Sequence, residues 1–372
     1  LQYAWSQTDT TGVAVDLLDA NQIDARFTAP IVDRLRLLEF AVNVTTPSGE
    51  LYADRVLVLV RPVNVSNVTL LGSSVESTPT SADLIISVVP YNPRGQVVLL
   101  GLMPQQVTLE NCSVTRVPSG TTSPADGSVG GIEIVEGTPA INAVLDFDDT
   151  GSMVWNDPSA LGRRAGGEAF FSLMSTQDEA CFLRFSAGIP ASAGMSASQL
   201  LVDWTNNSFD LTEALDELDS IGGTPLWLSA ANDACGIKMN KRPDAALILL
   251  TDGEDNSSNG VTSDDLITCV GQVGERPVFI VGLGPELNFA ELQNVARRTG
   301  GAFHEAGVPA DPVAMQQFFT GVFDALRRGR IRISATVTYD TLPVGTYRLD
   351  GDLVIETGPR IVTPFSTTFV IQ

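Results

Sequence analysis

Histidine, phosphate-binding motifs and long apolar runs are scarce or missing in this sequence of 372 residues, and each absence excludes a class of function. His304 is the only histidine, so a Ser/His or Cys/His catalytic pair cannot be built convincingly. No glycine-rich phosphate-binding loop follows a predicted strand. No apolar run approaches the roughly 20 residues of a membrane span. We therefore expect a protein that is not an enzyme and has no membrane span.

Basic residues are also scarce, with 22 Lys and Arg against 44 Asp and Glu. The formal net charge of −22 would repel nucleic acid and anionic membranes, so we expect neither as a partner. An excess of carboxylates suits divalent cations instead. The length favours two or three domains, and the hydrophobic content of 44% is that of a globular protein.

Four cysteines permit two disulfides or none. Cys235 and Cys269 fall on predicted helices that flank the same part of a sheet, so they are the expected pair if a bridge exists. Buried thiols are the alternative, because both positions lie on apolar faces. The chain starts at Leu1 without an initiator methionine or a signal-peptide pattern, which predicts a processed chain or a fragment.

Two-residue alternation predicts strands at both ends of the chain. Residues 1–62 form a first β-stretch, and residues 63–138 form a second with a loop or hairpin tip at 118–131. The tail, residues 330–372, gives about three strands, too few for an independent sandwich. We expect the tail to complete one β-sandwich with residues 63–138. A separate small β-domain is the alternative.

Residues 139–329 instead alternate apolar strands with amphipathic helices, which predicts a doubly wound parallel α/β sheet. The predicted strands are 141–147, 181–185, 245–250 and 278–281, and a helix is predicted at 160–174. Ligands of such sheets bind at the carboxyl ends of the strands. Functional side chains should therefore be sought among the polar residues that follow these strands.

Hydroxyl and carboxylate side chains occur at these positions. Asp148-x-Thr150-x-Ser152 ends the first strand, Thr224 precedes a helix, and Asp252 follows a later strand. The three loops resemble the metal-ion-dependent adhesion site of the von Willebrand factor type A (VWA) family, and the resemblance spans residues 139–328. The family's first loop is Asp-x-Ser-x-Ser, so Thr150 departs from it but keeps the hydroxyl.

The resemblance implies the role of each residue. Thr150, Ser152 and Thr224 would contact a divalent metal, while Asp148 and Asp252 would act largely through water. Magnesium or calcium, with manganese as a third candidate, prefers such oxygen ligands. An acidic group of a partner protein or surface ligand could then complete the shell, as in an adhesion module. A structural or unused metal is the alternative.

Three acids near the predicted site are harder to interpret. Asp149, Glu254 and Asp255 add negative charge close to the three loops. We expect a solvated acidic rim, and a second, adjacent calcium is the alternative.

Residues 1–62 resemble a polycystic-kidney-disease-type, immunoglobulin-like repeat, in Tyr3-x-Trp5-x-Gln7, in 27–30 and in the closing strands. The opening strands of such a repeat would precede Leu1, which predicts truncation or completion by another chain. The resemblance implies a multidomain protein outside the cell or on its surface. The alternative function is a structural subunit of a surface filament or layer. It would self-associate by strand exchange, with residues 363–372 as the donor strand.

Overall fold

A computed structural model describes residues 1–8, 13–30, 32, 36–60, 65–99, 102–242, 244–272, 276–357 and 359–372. The predicted boundary between residues 62 and 63 lies outside these ranges. The strands are β1 (Gln2–Gln7), β2 (Arg36–Thr45), β3 (Leu51–Val60), β4 (Asn67–Ser77), β5 (Ser81–Tyr91), β6 (Val107–Val117), β7 (Thr122–Glu136), β8 (Asn142–Asp148), β9 (Glu179–Phe185), β10 (Ser198–Thr205), β11 (Ala246–Thr251), β12 (Val278–Leu283), β13 (Ala302–Ala306), β14 (Gly329–Tyr339), β15 (Gly345–Glu356) and β16 (Arg360–Ile371).

The helices of the described residues lie mainly between β8 and β14. They are α1 (Met153–Asn156), α2 (Leu161–Ser172), α3 (Ser208–Glu213), α4 (Ser263–Gly271), α5 (Phe289–Arg298) and α6 (Pro312–Arg328), with a π-helix at Leu228–Lys238 and short 3₁₀ turns at Pro104–Gln106, Pro158–Ala160, Ala214–Glu217 and Met239–Lys241. None of them combines the length and the apolar character that crossing a bilayer requires.

The N-terminal sheet is antiparallel and has the order β1-β2-β3. One of its faces covers a small core in which Val32, Leu38, Phe40 and Val60 are buried. The strand pattern predicted for this part of the chain is therefore present. Its identity as an immunoglobulin-like repeat stays a prediction.

Strands that precede the α/β unit in sequence and strands that follow it form one seven-stranded sheet. Its order is β16-β15-β6-β7-β14-β5-β4. β14 lies between β7 and β5, and β15 pairs with β6. The sheet curls around one core, in which Ile86, Ile333 and Phe369 are buried. The Ser77 hydroxyl of β4 donates to the Val370 carbonyl of β16 at 3.1 Å, which brings the two end strands together.

The predicted loop or hairpin tip at 118–131 is confirmed only at its start. A turn follows β6 at residues 118–119, but residues 122–131 belong to β7, whose backbone pairs with β14 from Glu136 to Ala125. Residues 363–372, the donor strand of the alternative function, are paired within this chain. They lie almost entirely in β16, which pairs with β15 from Gly345↔Ile371 to Glu356↔Arg360 and buries Phe365 and Phe369. A strand already held in its own sheet is not free to complete another.

The central α/β sheet has the order β10-β9-β8-β11-β12-β13. β10 runs antiparallel to β9, and the other neighbours are parallel. A core containing Leu145 and Phe319 covers one face, and a core containing Val144 and Leu292 covers the other. This doubly wound arrangement is the one that the alternation of strands and helices predicts.

Three of the four cysteines, Cys181, Cys235 and Cys269, pack in the second of these cores. Cys235 and Cys269 form a disulfide with a Cα–Cα distance of 6.3 Å, as predicted. Cys112 and Cys181 are free and buried.

The α/β unit packs against the seven-stranded sheet through β13, α5 and α6. The Tyr91 hydroxyl donates to Asp324 at 2.8 Å, and the Thr368 amide and hydroxyl both donate to Glu305 at 3.1 Å. Gly72 lies directly against the backbone of β13, because a Cβ at this position would be 1.9 Å from the Phe303 carbonyl oxygen.

Candidate functional site

The predicted site residues lie at the carboxyl ends of two adjacent parallel strands. Asp148 is the last residue of β8, and Asp252 follows the last residue of β11. These strands pair in register through Phe147↔Leu250, so their ends meet at one edge of the sheet. Thr224 reaches the same edge on the loop before the π-helix.

All five predicted side chains are connected by short contacts. The Ser152 hydroxyl donates to Asp252 at 2.7 Å and lies 3.3 Å from the Thr150 hydroxyl. The Thr224 hydroxyl lies 3.5 Å from that of Thr150. Asp148 accepts the Thr150 amide at 2.9 Å. The structure thus brings two carboxylates and three hydroxyls from three separate loops into one cluster.

Both carboxylates of the cluster are deprived of water. Asp148 and Asp252 are fully buried. Burial, and then the charge of Asp252, raise the pKa of Asp148 to about 7, against the hydrogen bonds from Thr150 and Thr251. Burial also raises the pKa of Asp252, against hydrogen bonds from Ser152 and Asn156. Neither carboxylate forms an ion pair with any residue that the structure describes.

A tight glycine contact sets the position of the Thr224 loop. Gly222 has φ +82°, and a Cβ there would lie 2.2 Å from the Gly188 amide nitrogen. Its carbonyl accepts the Gly151 amide at 2.9 Å, which ties this loop to the first one. A larger residue at 222 would push Thr224 away from Thr150.

Asp149 corrects the prediction of a solvated acidic rim. It is fully buried and pairs with Arg163 at 2.8 Å and Arg184 at 3.0 Å. Its carboxylate also accepts the Asp219 and Ser220 amides. Asp149 therefore links the first loop to the loop that leads to Thr224. Because two arginines pair with its carboxylate, it is not available to a second metal.

Arg163 was not identified from the sequence, and it holds the first loop from below. Its guanidinium donates to the Asp148 carbonyl at 2.7 Å, to Asp157 at 2.9 Å and to Ser220 at 2.8 Å. Nothing in the local pattern of α2 distinguishes Arg163 from its neighbour Arg164. Only the tertiary fold reveals that Arg163 faces inward.

Asp146, another buried carboxylate, ties β8 to the π-helix that follows Thr224. Asp146 accepts the Ser229 hydroxyl at 2.6 Å, and Ser229 lies 2.6 Å from the Ser198 hydroxyl, which donates to Asp233 at 2.9 Å. Burial raises the pKa of Asp146 to about 8, against the hydrogen bond from Ser229. This polar chain fixes the helix against the strand that ends in Asp148.

The cluster suits a hard divalent cation. The hydroxyl oxygens lie 3.3 and 3.5 Å apart, a separation expected for neighbouring ligands around an ion with bonds of about 2.3–2.6 Å. A cation would also neutralise the two buried carboxylates. Among the residues that the structure describes, no group of three or more His, Cys, Asp or Glu could hold a metal. The candidate site depends on hydroxyls and so is of a different type.

The cluster opens into a shallow cavity of about 610 Å³. Ser152 and Thr224 line its floor, and Glu254, Asp255 and Glu286 line its walls. Glu254 and Glu286 are exposed, which agrees with the predicted acidic rim at Glu254. Asp255 is half-buried and accepts the Ser258 hydroxyl.

His304 lies on β13, an end strand of the sheet that is two positions from β11. Its ring stacks on Phe318 with centroids 4.8 Å apart, and burial lowers its pKa to about 4. The His304 imidazole therefore packs against an aromatic ring, away from the polar residues of the site.

Comparison with known proteins finds a family model that matches part of the α/β unit. Residues 191–305 match the family model of the von Willebrand factor type A domain. The matched span contains Thr224 and Asp252 and begins after the loop of Asp148, Thr150 and Ser152. None of the curated protein sequences matches the chain.

Several solved structures are similar at low identity. A von Willebrand factor type A protein from Catenulispora acidiphila has 12% identity and a TM-score of 0.43, covering 82% of this chain and 75% of that chain. The von Willebrand factor domain of a type V pili tip protein from Porphyromonas gingivalis has 13% identity and a TM-score of 0.37, covering 52% and 96%. The pilus adhesin SpaC from Lactobacillus rhamnosus GG has 11% identity and a TM-score of 0.39, covering 82% and 48%.

Proposed function

We propose that this chain, whose residues 191–305 match the family model of the von Willebrand factor type A (VWA) domain, is a metal-dependent adhesion or protein-binding module. The convergence of two buried carboxylates and three hydroxyls at one edge of the sheet carries this proposal. Thr150, Ser152 and Thr224 would hold a magnesium, calcium or manganese ion, with Asp148 and Asp252 in support. The bound cation would supply an electrophilic centre with a position open to a carboxylate of the partner.

The charge of the chain makes this binding strictly dependent on the cation. Glu254, Asp255 and Glu286 surround the entrance, and the net charge is −22. Without a cation, these carboxylates would repel an acidic ligand. The proposal therefore requires that a chelator abolish binding altogether, not merely weaken it.

Exposed apolar residues beside the site would add contact area with a partner protein. Val154 and Trp155 follow Ser152 on α1, and they are 47% and 79% exposed. Tryptophan at the edge of a polar contact is a common anchor in protein interfaces. Replacing Trp155 with alanine should weaken binding of a protein partner without changing the affinity for the cation.

Calorimetric titration with calcium, magnesium and manganese chlorides tests the cation site. Thr224→Val removes one hydroxyl and should weaken binding at least about tenfold, the equivalent of one charge-assisted contact. Thr176→Val is the matched control, because Thr176 is exposed in the turn before β9. Equal affinities in the two variants would contradict the assignment of Thr224.

Retention on immobilised polyglutamate tests the capture of carboxylates. The chain should bind this surface in millimolar calcium or magnesium and elute with chelator, and Thr224→Val should not bind. Retention that persists in chelator would contradict the proposal, as would a lack of retention in a chain that binds the cation.

Assembly into a surface filament or layer is the second candidate, and β3 favours it. β3 is an end strand of its sheet, and Leu51, Tyr52, Leu57 and Leu59 are between 48% and 75% exposed. An exposed apolar end strand is a template for pairing with another chain. Light scattering of the full chain decides this point, because a strictly monomeric chain would rule out self-assembly.

Both candidates place the chain outside the cell or on its surface, and neither needs a catalytic residue. In the adhesion candidate, the site does no more than bind a group reversibly. Hydrolysis or transfer by the chain is therefore not part of the proposal.

A further inference from the structure

A buried arginine lies at the end of the α/β sheet opposite the candidate metal site. Arg330 is the second residue of β14, and it is only 4% exposed. Its neighbours Ile331 and Ile333 face the core of the seven-stranded sheet. The alternation of the strand turns Arg330 and Arg332 to the other face, which the α/β unit covers. Arg330 thus lies on the face of the seven-stranded sheet that points away from its core, and the α/β unit shields it from solvent.

Among the residues that the structure describes, Arg330 has no carboxylate partner. It forms no ion pair with any residue in the described ranges, whereas Arg332 pairs with Glu133 at 2.9 Å. The Arg330 guanidinium carbon instead lies 5.2 Å from the centre of the Phe279 ring. Burial, and then the charge of Arg332, lower the pKa of Arg330 to about 10, and Glu133 opposes this shift. A buried charge without a counter-ion destabilises the folded chain.

Each of these two arginines also has one buried nitrogen without a hydrogen-bond partner among the described residues. Arg330 donates from Nη2 to the Gly300 carbonyl. The Nε atoms of Arg330 and Arg332 are both buried, and neither has a hydrogen-bond partner. Buried donors are almost always satisfied in folded proteins. The Arg330 guanidinium is thus only partly satisfied by the chain itself, with one bond from Nη2 and none from Nε.

The two arginines line a cavity of about 380 Å³ between the seven-stranded sheet and the α/β unit. Its walls include Asn142, Pro277 and Gly300, which lie at the amino ends of β8, β12 and β13. This volume is within the range of small-molecule sites. The metal-site loops follow the carboxyl ends of β8 and β11, so the cavity is a separate site.

The charges around the cavity restrict its ligand. Glu133, Glu136 and Asp244 also line it, and their carboxylates disfavour a dianion such as sulfate or phosphate. The planar guanidinium matches a carboxylate through two parallel hydrogen bonds. We propose that this cavity binds the carboxylate of a small ligand whose remainder is neutral or cationic, such as an amino acid or a peptide end. Arg330 is the principal donor.

Thermal unfolding and calorimetry of the full chain test this proposal, with glycine, sodium acetate and sodium sulfate as probes. Glycine and acetate should raise the melting temperature of the wild-type chain more than sulfate at equal ionic strength. Arg330→Met should lose the response and should melt no lower than wild type without a ligand, because it removes an unpaired buried charge. Arg348→Met is the matched control. Arg348 is 51% exposed on β15, so its loss removes the same charge outside the cavity.

Two results would overturn the proposal. Equal responses of wild type and Arg330→Met to glycine and acetate would show that Arg330 is not the donor. A stronger response to sulfate than to the carboxylates would exclude the proposed ligand class. Arg330→Lys keeps the charge but loses the planar fork, and serves if Arg330→Met does not fold. We expect carboxylate binding at least tenfold weaker in this variant, and an unchanged affinity would also overturn the proposal.

Discussion

Replacing Arg163 should destabilise the chain far more than replacing Arg164, its neighbour on the same helix. The Arg163 side chain is fully inaccessible, and so are its partners Asp149 and Asp157. The Arg164 side chain is 35% exposed, and its partner Asp216 is 79% exposed. The pair of variants therefore compares the same substitution in a buried and in a solvated ion pair.

The expected magnitudes follow from this difference in burial. Arg163→Leu leaves Asp157 buried with only backbone donors and removes one of the two arginines at Asp149. Breaking a buried pair in this way costs about 3–5 kcal/mol. A solvated pair such as Arg164 with Asp216 contributes about 0–1 kcal/mol. We expect the free energies of unfolding of Arg163→Leu and Arg164→Leu to differ by roughly 3 kcal/mol.

Urea unfolding in the presence of a chelator, followed by tryptophan fluorescence, measures both variants. A calcium titration of Arg163→Lys then separates positioning from stability. The lysine keeps the charge but cannot contact Asp148, Asp157 and Ser220 together, so cation affinity should fall even if the variant remains folded. The reasoning is refuted if Arg163→Leu loses no more stability than Arg164→Leu.

Three further changes test other parts of the fold. Replacing Cys235 and Cys269 with alanine removes a disulfide with a sequence separation of 34. The chain-entropy relation predicts that the free energy of unfolding, measured in urea, falls by about 4 kcal/mol. An unchanged free energy of unfolding would contradict the presence of the disulfide. Gly72→Ala forces a Cβ against the Phe303 carbonyl and should lower stability by about 1–3 kcal/mol or more by calorimetry; a neutral result would contradict the packing of β4 on β13. Burial raises the pKa of Glu305, so wild-type stability should fall as pH rises from the ordinary glutamate pKa to this raised value. Glu305→Gln should reduce this fall. If the stability of the wild type and of this variant changed with pH in parallel, the role of Glu305 would be contradicted.

The α/β unit could be predicted from the sequence because its strands are buried on both faces. Such strands form continuous apolar runs, and the runs at 141–147 and 245–250 match β8 and β11 to within a residue or two. β7 was not predicted, because its Ser, Gly and Thr residues are typical of loops. Its pairing with β14 holds it in the sheet, and that partner lies about 200 residues away in sequence.

The candidate site, too, could be predicted only where local sequence patterns identify its residues. Its five polar residues follow strands or precede a helix, so local patterns could identify them. Arg163, Thr251 and Asn156 contact the same carboxylates or their loops, but each has an ordinary polar position in its own segment. The burial of Arg330 was not predicted either, because it depends on the α/β unit, which packs over this face of β14.

Thermal unfolding with and without a divalent cation tests the central claim most directly. At a cation concentration 100 times Kd, binding should stabilise the folded state by about 2.7 kcal/mol, which is roughly 5 °C or more for a domain of this size. Asp148→Ala should remove this shift and keep its circular dichroism spectrum. A melting temperature that stays the same from chelator to millimolar calcium or magnesium would contradict the claim that these loops hold a cation.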